Sequence, residues 1–401
     1  MMDKLRYGKH VRLGLVYFCL AALLGVLLRS FPMLGFQFNY RYVVHAHSHI
    51  ALLGWVYVGL TTLLHLCFVE SKNSSVVYKR IFRCTQGTLI GMLLTFPFTG
   101  YALFSIIFST LFLIVSYVYV YHFWKNIKPE LKQSKGLPCA KAALVYLVVS
   151  SIGPWALGAI MNTLGAQSIW YRLAIYFYLH FQYNGWMVLA LVALFLFAME
   201  RKGIAIPQKG FAQFFKLVNL GIVLTFLLSV LWTEPPTAIY VLAGLGALVL
   251  VYAFIRMGLL IKNKITLLSF SKLQLYLVWM VVILGIIKMS LQLLTALPYF
   301  AELATMYLDF TIGYLHLTFL GVISLGLFLF MDFYDLVKVS ARSLGWYLLG
   351  FVVTELLIFQ KGITAWLQWE LLENYTEILT VGSMLIPVGL ILMLYHNRIQ
   401  Y

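Results

Sequence analysis

Residues 45–55 read HAHSHIALLGW, inside a run from Val43 to Phe68 that contains no Asp, Glu, Lys or Arg. As an α-helix this run of 26 residues covers about 39 Å at ~1.5 Å per residue. The hydrocarbon layer of a bilayer is roughly 30 Å thick. The run is therefore read as a membrane span, and the three imidazoles of HAHSH lie inside it.

The rest of the chain agrees. Of 401 residues, 62% are hydrophobic and 10% charged, and mean hydropathy is +0.91. Ordinary globular chains are about half apolar and about a quarter charged. This composition excludes a cytosolic enzyme, a disordered chain and a disulfide-stapled secreted module. Cys19, Cys67, Cys84 and Cys139 show no CxxC spacing, so neither a zinc site nor a disulfide framework is expected.

Twelve stretches are long and apolar enough to be read as spans: 11–30, 43–68, 82–100, 102–124, 138–162, 169–199, 210–232, 236–261, 270–297, 308–331, 344–360 and 375–396. Only the region Pro97–Gly100 divides the third from the fourth. The basic N-terminus opens a long apolar run with no A-x-A-like cleavage site, and is read as a retained first helix. With that end inside, 24 of the 29 Lys and Arg fall in inner segments, leaving Arg29, Arg41, Arg172, Lys288 and Lys361 outside. That bias predicts both termini in the cytoplasm. The net charge of +16 thus reports topology, not a nucleic-acid partner. The expected fold is all-α: a single polytopic membrane domain, 1–401, of twelve transmembrane helices with membrane lipid around it.

Nine histidines divide into two sets. His10, His65, His122 and His396 sit at or beyond inner helix ends and read as interfacial. His45, His47, His49, His180 and His316 lie on the second, sixth and tenth spans, all near the outer ends. Imidazoles at that depth are costly and usually functional, and neutral imidazole is a common metal and haem ligand. The local sequences repeat: HSHIALLGW, LHFQYNGWM and LHLTFLGVI. His49, His180 and His316 each precede a glycine by five residues (Gly54, Gly185, Gly321) and are 131 and 136 residues apart. This predicts three pseudo-repeated four-helix units. His45 and His49, at i and i+4, share a helix face and could hold one metal, copper or zinc, with His180 a third candidate; His47 points the other way.

Twelve spans with histidines on the second, sixth and tenth resemble subunit I of the haem-copper oxidase superfamily, nearest its cbb-type oxidase and nitric oxide reductase branch. Arg41, His47 and Gly54 resemble the family stretch R-x-x-H-T-N-x-x-x-F-G, with the arginine displaced. Thr311-Ile312-Gly313-Tyr314-Leu315-His316 resembles T-I-G-H-V-H-S-G, with Tyr314 where the high-spin haem ligand stands. His180 falls at a copper-ligand position. HAHSH is also similar to the H-A-H-E motif of NnrS-type proteins, and the HAHSH and YLHFQYNGW segments resemble Bacteroidetes-type oxidase subunit I-like proteins.

The resemblance implies a low-spin haem b on His47 and His316, with cationic partners for its propionates among Arg41, Lys288, Arg172 and Lys361. No histidine lies between His180 and His316, so the family's helix 7 pair is missing and a standard oxygen-reducing site is not expected. The internal repeat favours His49 over His47, and that choice stays open. Implied activities are electron transfer or the handling of nitric oxide and respiratory stress, as an oxidoreductase related to cytochrome c oxidase or nitric oxide reductase. Partners would be respiratory-chain subunits or an electron donor. The alternatives are a metal-ion or proton transporter using the outer histidines, or an assembly factor for a respiratory complex. Glu355, Gln182, Asn184 and Gln292 add polar groups within the predicted spans. No nucleotide-binding loop and no CxxCH motif is present.

Overall fold

The computed structural model describes residues 2–35 and 37–398. Every regular element among them is helical. Among the described residues, eleven helices are long and apolar enough to cross a membrane, which makes this a multi-pass membrane protein. The sequence predicts twelve spans. The twelfth candidate is the helix Lys72–Thr99, whose 28 residues include Lys79, Arg80, Arg83 and Gln86. It is long enough to span, but those residues dilute its apolarity.

In chain order the long helices are α1 (Met2–Leu34), α2 (Tyr40–Val69), α3 (Lys72–Thr99), α4 (Leu103–Lys125), α5 (Gly136–Thr163) and α6 (Ile169–Arg201). They continue as α7 (Gln208–Thr233), α8 (Thr237–Ile261), α9 (Lys272–Leu294), α10 (Leu308–Phe333), α11 (Ala341–Leu367) and α12 (Tyr375–His396). A short helix, Pro298–Met306, precedes α10. Three of the twelve are set apart by burial. In the most apolar stretches of α2, α6 and α10, 94%, 83% and 78% of residues are buried, against 28–50% in the other eight spans. These are the helices that carry the histidine repeat.

The helices form two compact units. One holds the described parts of residues 1–128 and 324–401 with Tyr276–Val278; the other holds 129–275 and 279–323. In the first unit α1 to α4 alternate in direction. Tyr7 of α1 meets His65 of α2 and Ser75 of α3 at one end, where the Lys128 amide after α4 also reaches Phe68 O at 3.0 Å. At the other end Gly100, with φ +59°, turns α3 into α4. A side chain there would collide with the Tyr42 ring at the start of α2, so the position is restricted to glycine by both conformation and space. Trp55 of α2 is fully buried, stacks on Phe18 of α1 at 4.8 Å, and donates through Nε1 to Ser324 Oγ at 2.9 Å.

In the second unit α5 bends at Ser151, between Gly136–Ser150 and Ile152–Thr163. Pro154 lacks the N–H that would bond the carbonyl four residues back. Glu200 at the end of α6 accepts from Ser134 Oγ at 2.5 Å and from the Lys135 amide, tying the start of α5 to α6. Gly221 of α7 and Gly246 of α8 let those two helices touch near their backbones.

Candidate functional site

Glycines inside the three most buried helices mark a shared backbone feature. His49, His180 and His316 each end an α-helical segment: Tyr40–His49, Ile169–His180 and Leu308–His316. Each is followed at once by π-helix: Ile50–Tyr57, Phe181–Met187 and Leu317–Ile323. A fourth π segment, His65–Val69, closes α2. Well under 1% of residues in ordinary proteins are π-helical, and π turns inside helices are frequent at functional sites. Each extra residue per π turn rotates the helix before it relative to the helix after it, so the imidazole sits at the joint between two helix registers. Gly54 and Gly185 fall inside the π segments. A Cβ on Gly54 would lie 2.8 Å from Tyr17 Cβ, and one on Gly185 would lie 2.5 Å from Tyr146 Cγ. In both cases a tyrosine of the preceding helix lies against the glycine.

In the first unit His47 faces α1. Its Nδ1 is 2.8 Å from Ala21 O. A carbonyl can only accept, so the proton is on Nδ1 and Nε2 carries the lone pair. That tautomer, fixed by a backbone acceptor, is the arrangement metal- and haem-ligating histidines use. A Cβ on Gly25 of α1 would lie 3.1 Å from His47 Cε1, so α1 offers a glycine where the ring needs room. His45 and His49 turn away from α1, toward Phe96 of α3 and Tyr101. The His49 ring lies 4.3 Å from Phe96 and the His45 ring 4.7 Å from Tyr101. His49 Nδ1 donates to His45 O at 2.8 Å, and its Nε2 is 3.4 Å from the Tyr101 hydroxyl. Arg41 is exposed, one turn before His45.

In the second unit His180 is buried with both nitrogens engaged. Nε2 donates to Ile222 O at 2.8 Å, and Nδ1 accepts from Asn184 Nδ2 at 3.3 Å. This tautomer places a proton, not a lone pair, on Nε2. The chain of bonds continues. Asn184 Oδ1 accepts from Lys288 Nζ at 2.5 Å, Lys288 also donates to Gln292 Oε1 at 2.9 Å, and the Tyr314 hydroxyl reaches Gln292 Oε1 at 3.5 Å. Lys288 is 4% exposed, lies 5.5 Å above the Tyr314 ring, and has two amide oxygens as its acceptors. Gln182 donates to Ser150 Oγ at 3.0 Å. Arg172 lies over the Trp232 ring at 4.4 Å and donates to the Tyr176 hydroxyl at 2.8 Å. His316 is half-buried on α10.

No protein-family model matches this chain, and no curated protein does. The site therefore rests on its own geometry. Among the described residues, no three His, Cys, Asp or Glu side chains gather as a metal centre would require.

A second histidine cluster escapes sequence reading. His10, His65 and His122, expected at an interface, are all buried. Packing of α1, α2, α3 and α4 closes over helix ends that would each face headgroups alone. Asn126 Nδ2 donates to His122 O at 2.8 Å, so it also donates to His122 Nδ1 at 3.2 Å. His122 must then carry its proton on Nε2, which lies 3.3 Å from His65 Nε2. His65 in turn carries its proton on Nδ1, 2.8 Å from the Tyr7 hydroxyl, and Tyr7 is 3.4 Å from Ser75 Oγ. All donors point one way, from Asn126 through two imidazoles and a phenol to a serine. The i, i+4 spacing of His122 and Asn126 is the one local signal of it.

Proposed function

We propose that this chain is a haem-binding membrane protein resembling haem-copper oxidase subunit I, with a role in electron transfer or in handling nitric oxide and respiratory stress. The observation that carries this reading is His47: its Nδ1–H is committed to Ala21 O at 2.8 Å, its Nε2 keeps the lone pair, and Gly25 lets the ring pack close against α1. His47 is proposed as a residue that would hold a b-type haem, and the family resemblance implies that His316 would hold it too. Such a haem, with two imidazoles and no open position, supplies one-electron transfer. Arg41, exposed a turn before His45, is proposed to face a propionate. Lys288 is proposed as a further cation for that cofactor, within its buried polar chain. His45, His49 and His180 remain the proposed candidates for a copper or zinc ion, with His49 the better disposed because its Nε2 holds the lone pair.

The proposed architecture is twelve spans in three four-helix repeats, both termini in the cytoplasm of a bacterial inner membrane. An even number of crossings is supported by Arg12 Nη1 reaching Asn397 O at 3.2 Å, since the first span then begins at the end where the last one finishes. The α3 helix supports the twelfth crossing: it runs from Ser75 beside Tyr7 to Gly100 beside Tyr42, as its neighbours do. The π segments after His49, His180 and His316 support the repeat.

An absorption spectrum of the purified protein, oxidised and reduced, with metal analysis of the same sample, tests the reading. The reduced spectrum is expected to show the α-band of a low-spin b-haem. Oxygen consumption is not expected, because the family resemblance sets Tyr314 at the high-spin ligand position and the sequence has no histidine pair between His180 and His316. A haem-free protein across several expression conditions would favour a second reading, proton or metal transport. The observation favouring that one is the buried chain His180–Asn184–Lys288–Gln292–Tyr314.

A further inference from the structure

The first and last helices build a groove of about 550 Å³ between them. From α1 it takes Lys9, Arg12, Leu13 and Val16, and from the α12 side Ile391, Leu394, Tyr395 and Arg398. Each set follows the spacing i, i+3, i+4, i+7, one face of a helix. The two faces run in opposite directions, so their chemistry coincides in space. The cations Lys9, Arg12 and Arg398 fall together at one end, and the aliphatic side chains continue from them along both helices. No carboxylate is among the described residues that line it.

The cationic end is built, not incidental. Arg12 donates through Nη1 to Asn397 O at 3.2 Å. Asn397 is itself fully buried: its Oδ1 accepts from the Lys338 amide at 2.7 Å, and its Nδ2 donates to Lys338 O at 2.9 Å and Met393 O at 2.8 Å. The guanidinium is therefore held in place before any ligand arrives. The floor is open to the lipid side, with Val16 39% and Ile391 51% exposed.

We infer that this groove binds one anionic glycerophospholipid, its phosphodiester on Lys9, Arg12 and Arg398 and one acyl chain along Leu13, Val16, Ile391 and Leu394. Arginine pairs with phosphate through two parallel donors, and clustered basic residues beside membrane helices select anionic headgroups. The aliphatic floor argues against a soluble anion, which would gain nothing from it. Sequence alone shows these cations as one more instance of inner-side positive charge. The pairing of two helix faces is what turns them into a site.

The test uses the full-length protein in a neutral detergent, titrated with phosphatidylglycerol or phosphatidylcholine of the same acyl length. Native mass spectrometry counts bound lipid, and thermal melting reads stabilisation. One phosphatidylglycerol is expected to stay bound, with little retention of phosphatidylcholine. K9Q/R12Q/R398Q should weaken that binding about tenfold or more, and K9Q/R398Q, which leaves the Arg12–Asn397 contact intact, should weaken it by a smaller factor. The control K79Q/R80Q/R83Q removes three exposed cations from α3 and should leave binding unchanged. Three results would overturn the inference: equal retention of both lipids, equal loss in the α3 control, or displacement by inorganic phosphate at the lipid's own concentration.

Discussion

The imidazoles of His65 and His122 meet edge to edge, with their Nε2 atoms 3.3 Å apart and their planes 9° from parallel. Both rings are buried, so each nitrogen needs a partner from the protein. If His122→Phe removes the donor, His65 Nε2 is left as a buried acceptor, at a cost of about 1–3 kcal/mol. His65→Phe with His122→Phe should cost less than the sum of the two single changes, a coupling readable in a thermal double-mutant cycle. Nitrogen NMR of labelled histidines should find His65 protonated on Nδ1 and His122 on Nε2. The opposite pair of tautomers would break the donor sequence deduced from Asn126.

Gly54→Ala and Gly185→Ala should each destabilise by about 1–3 kcal/mol, because the added methyl overpacks a filled contact. The contacts are Tyr17 and Tyr146, at 2.8 and 2.5 Å from the ideal Cβ positions. Gly258→Ala on α8 meets nothing within 4 Å and should be neutral or mildly stabilising. Melting temperatures of the three variants in one detergent decide this, and equal shifts would mean the glycines serve no packing role.

Lys288→Met should destabilise by about 1 kcal/mol, in line with the modest hydrogen-bond energies found between membrane helices. Asn184 Oδ1 loses its donor, while Gln292 keeps the Tyr314 hydroxyl at 3.5 Å. Asn184→Leu made in the Lys288→Met background should add less than it costs alone. Simple additivity in the melts would show that the two side chains are not one network.

His47→Ala and His316→Ala should each abolish the low-spin haem spectrum while the protein still inserts. His49→Ala should leave it, since His49 Nε2 faces Tyr101 and its ring packs on Phe96. Loss of the spectrum in His49→Ala with retention in His47→Ala would reverse the assignment.

Reporter fusions at the two termini should give the same side of the membrane, as the Arg12–Asn397 contact requires. A reporter in the turn at Gly100 should give the opposite side to one at Ser71. Equal signals at Gly100 and Ser71 would remove α3 from the spans.

The helices are largely legible in the sequence. Long runs without charge, such as 43–68, can satisfy their backbone in lipid only as helix, so composition and length are enough. Pro97 and Gly100 mark the α3–α4 turn because only glycine tolerates φ +59° beside Tyr42. The span count is less legible, because α3 mixes charge into a helix of full length.

Sequence by itself determined that this is a helical membrane protein and that His49, His180 and His316 each stand five positions before a glycine. It could not determine what each ring does. Residues close in sequence fix a helix face, but hydrogen-bond partners come from other helices: Ala21 for His47, Ile222 for His180, Tyr7 for His65. The tertiary structure alone decided which nitrogen carries a proton. It also made helix-end histidines into a buried relay and joined two basic helix ends into one groove. In each case the energy lies in removing polar groups from water or headgroups and pairing them across helices far apart in the chain.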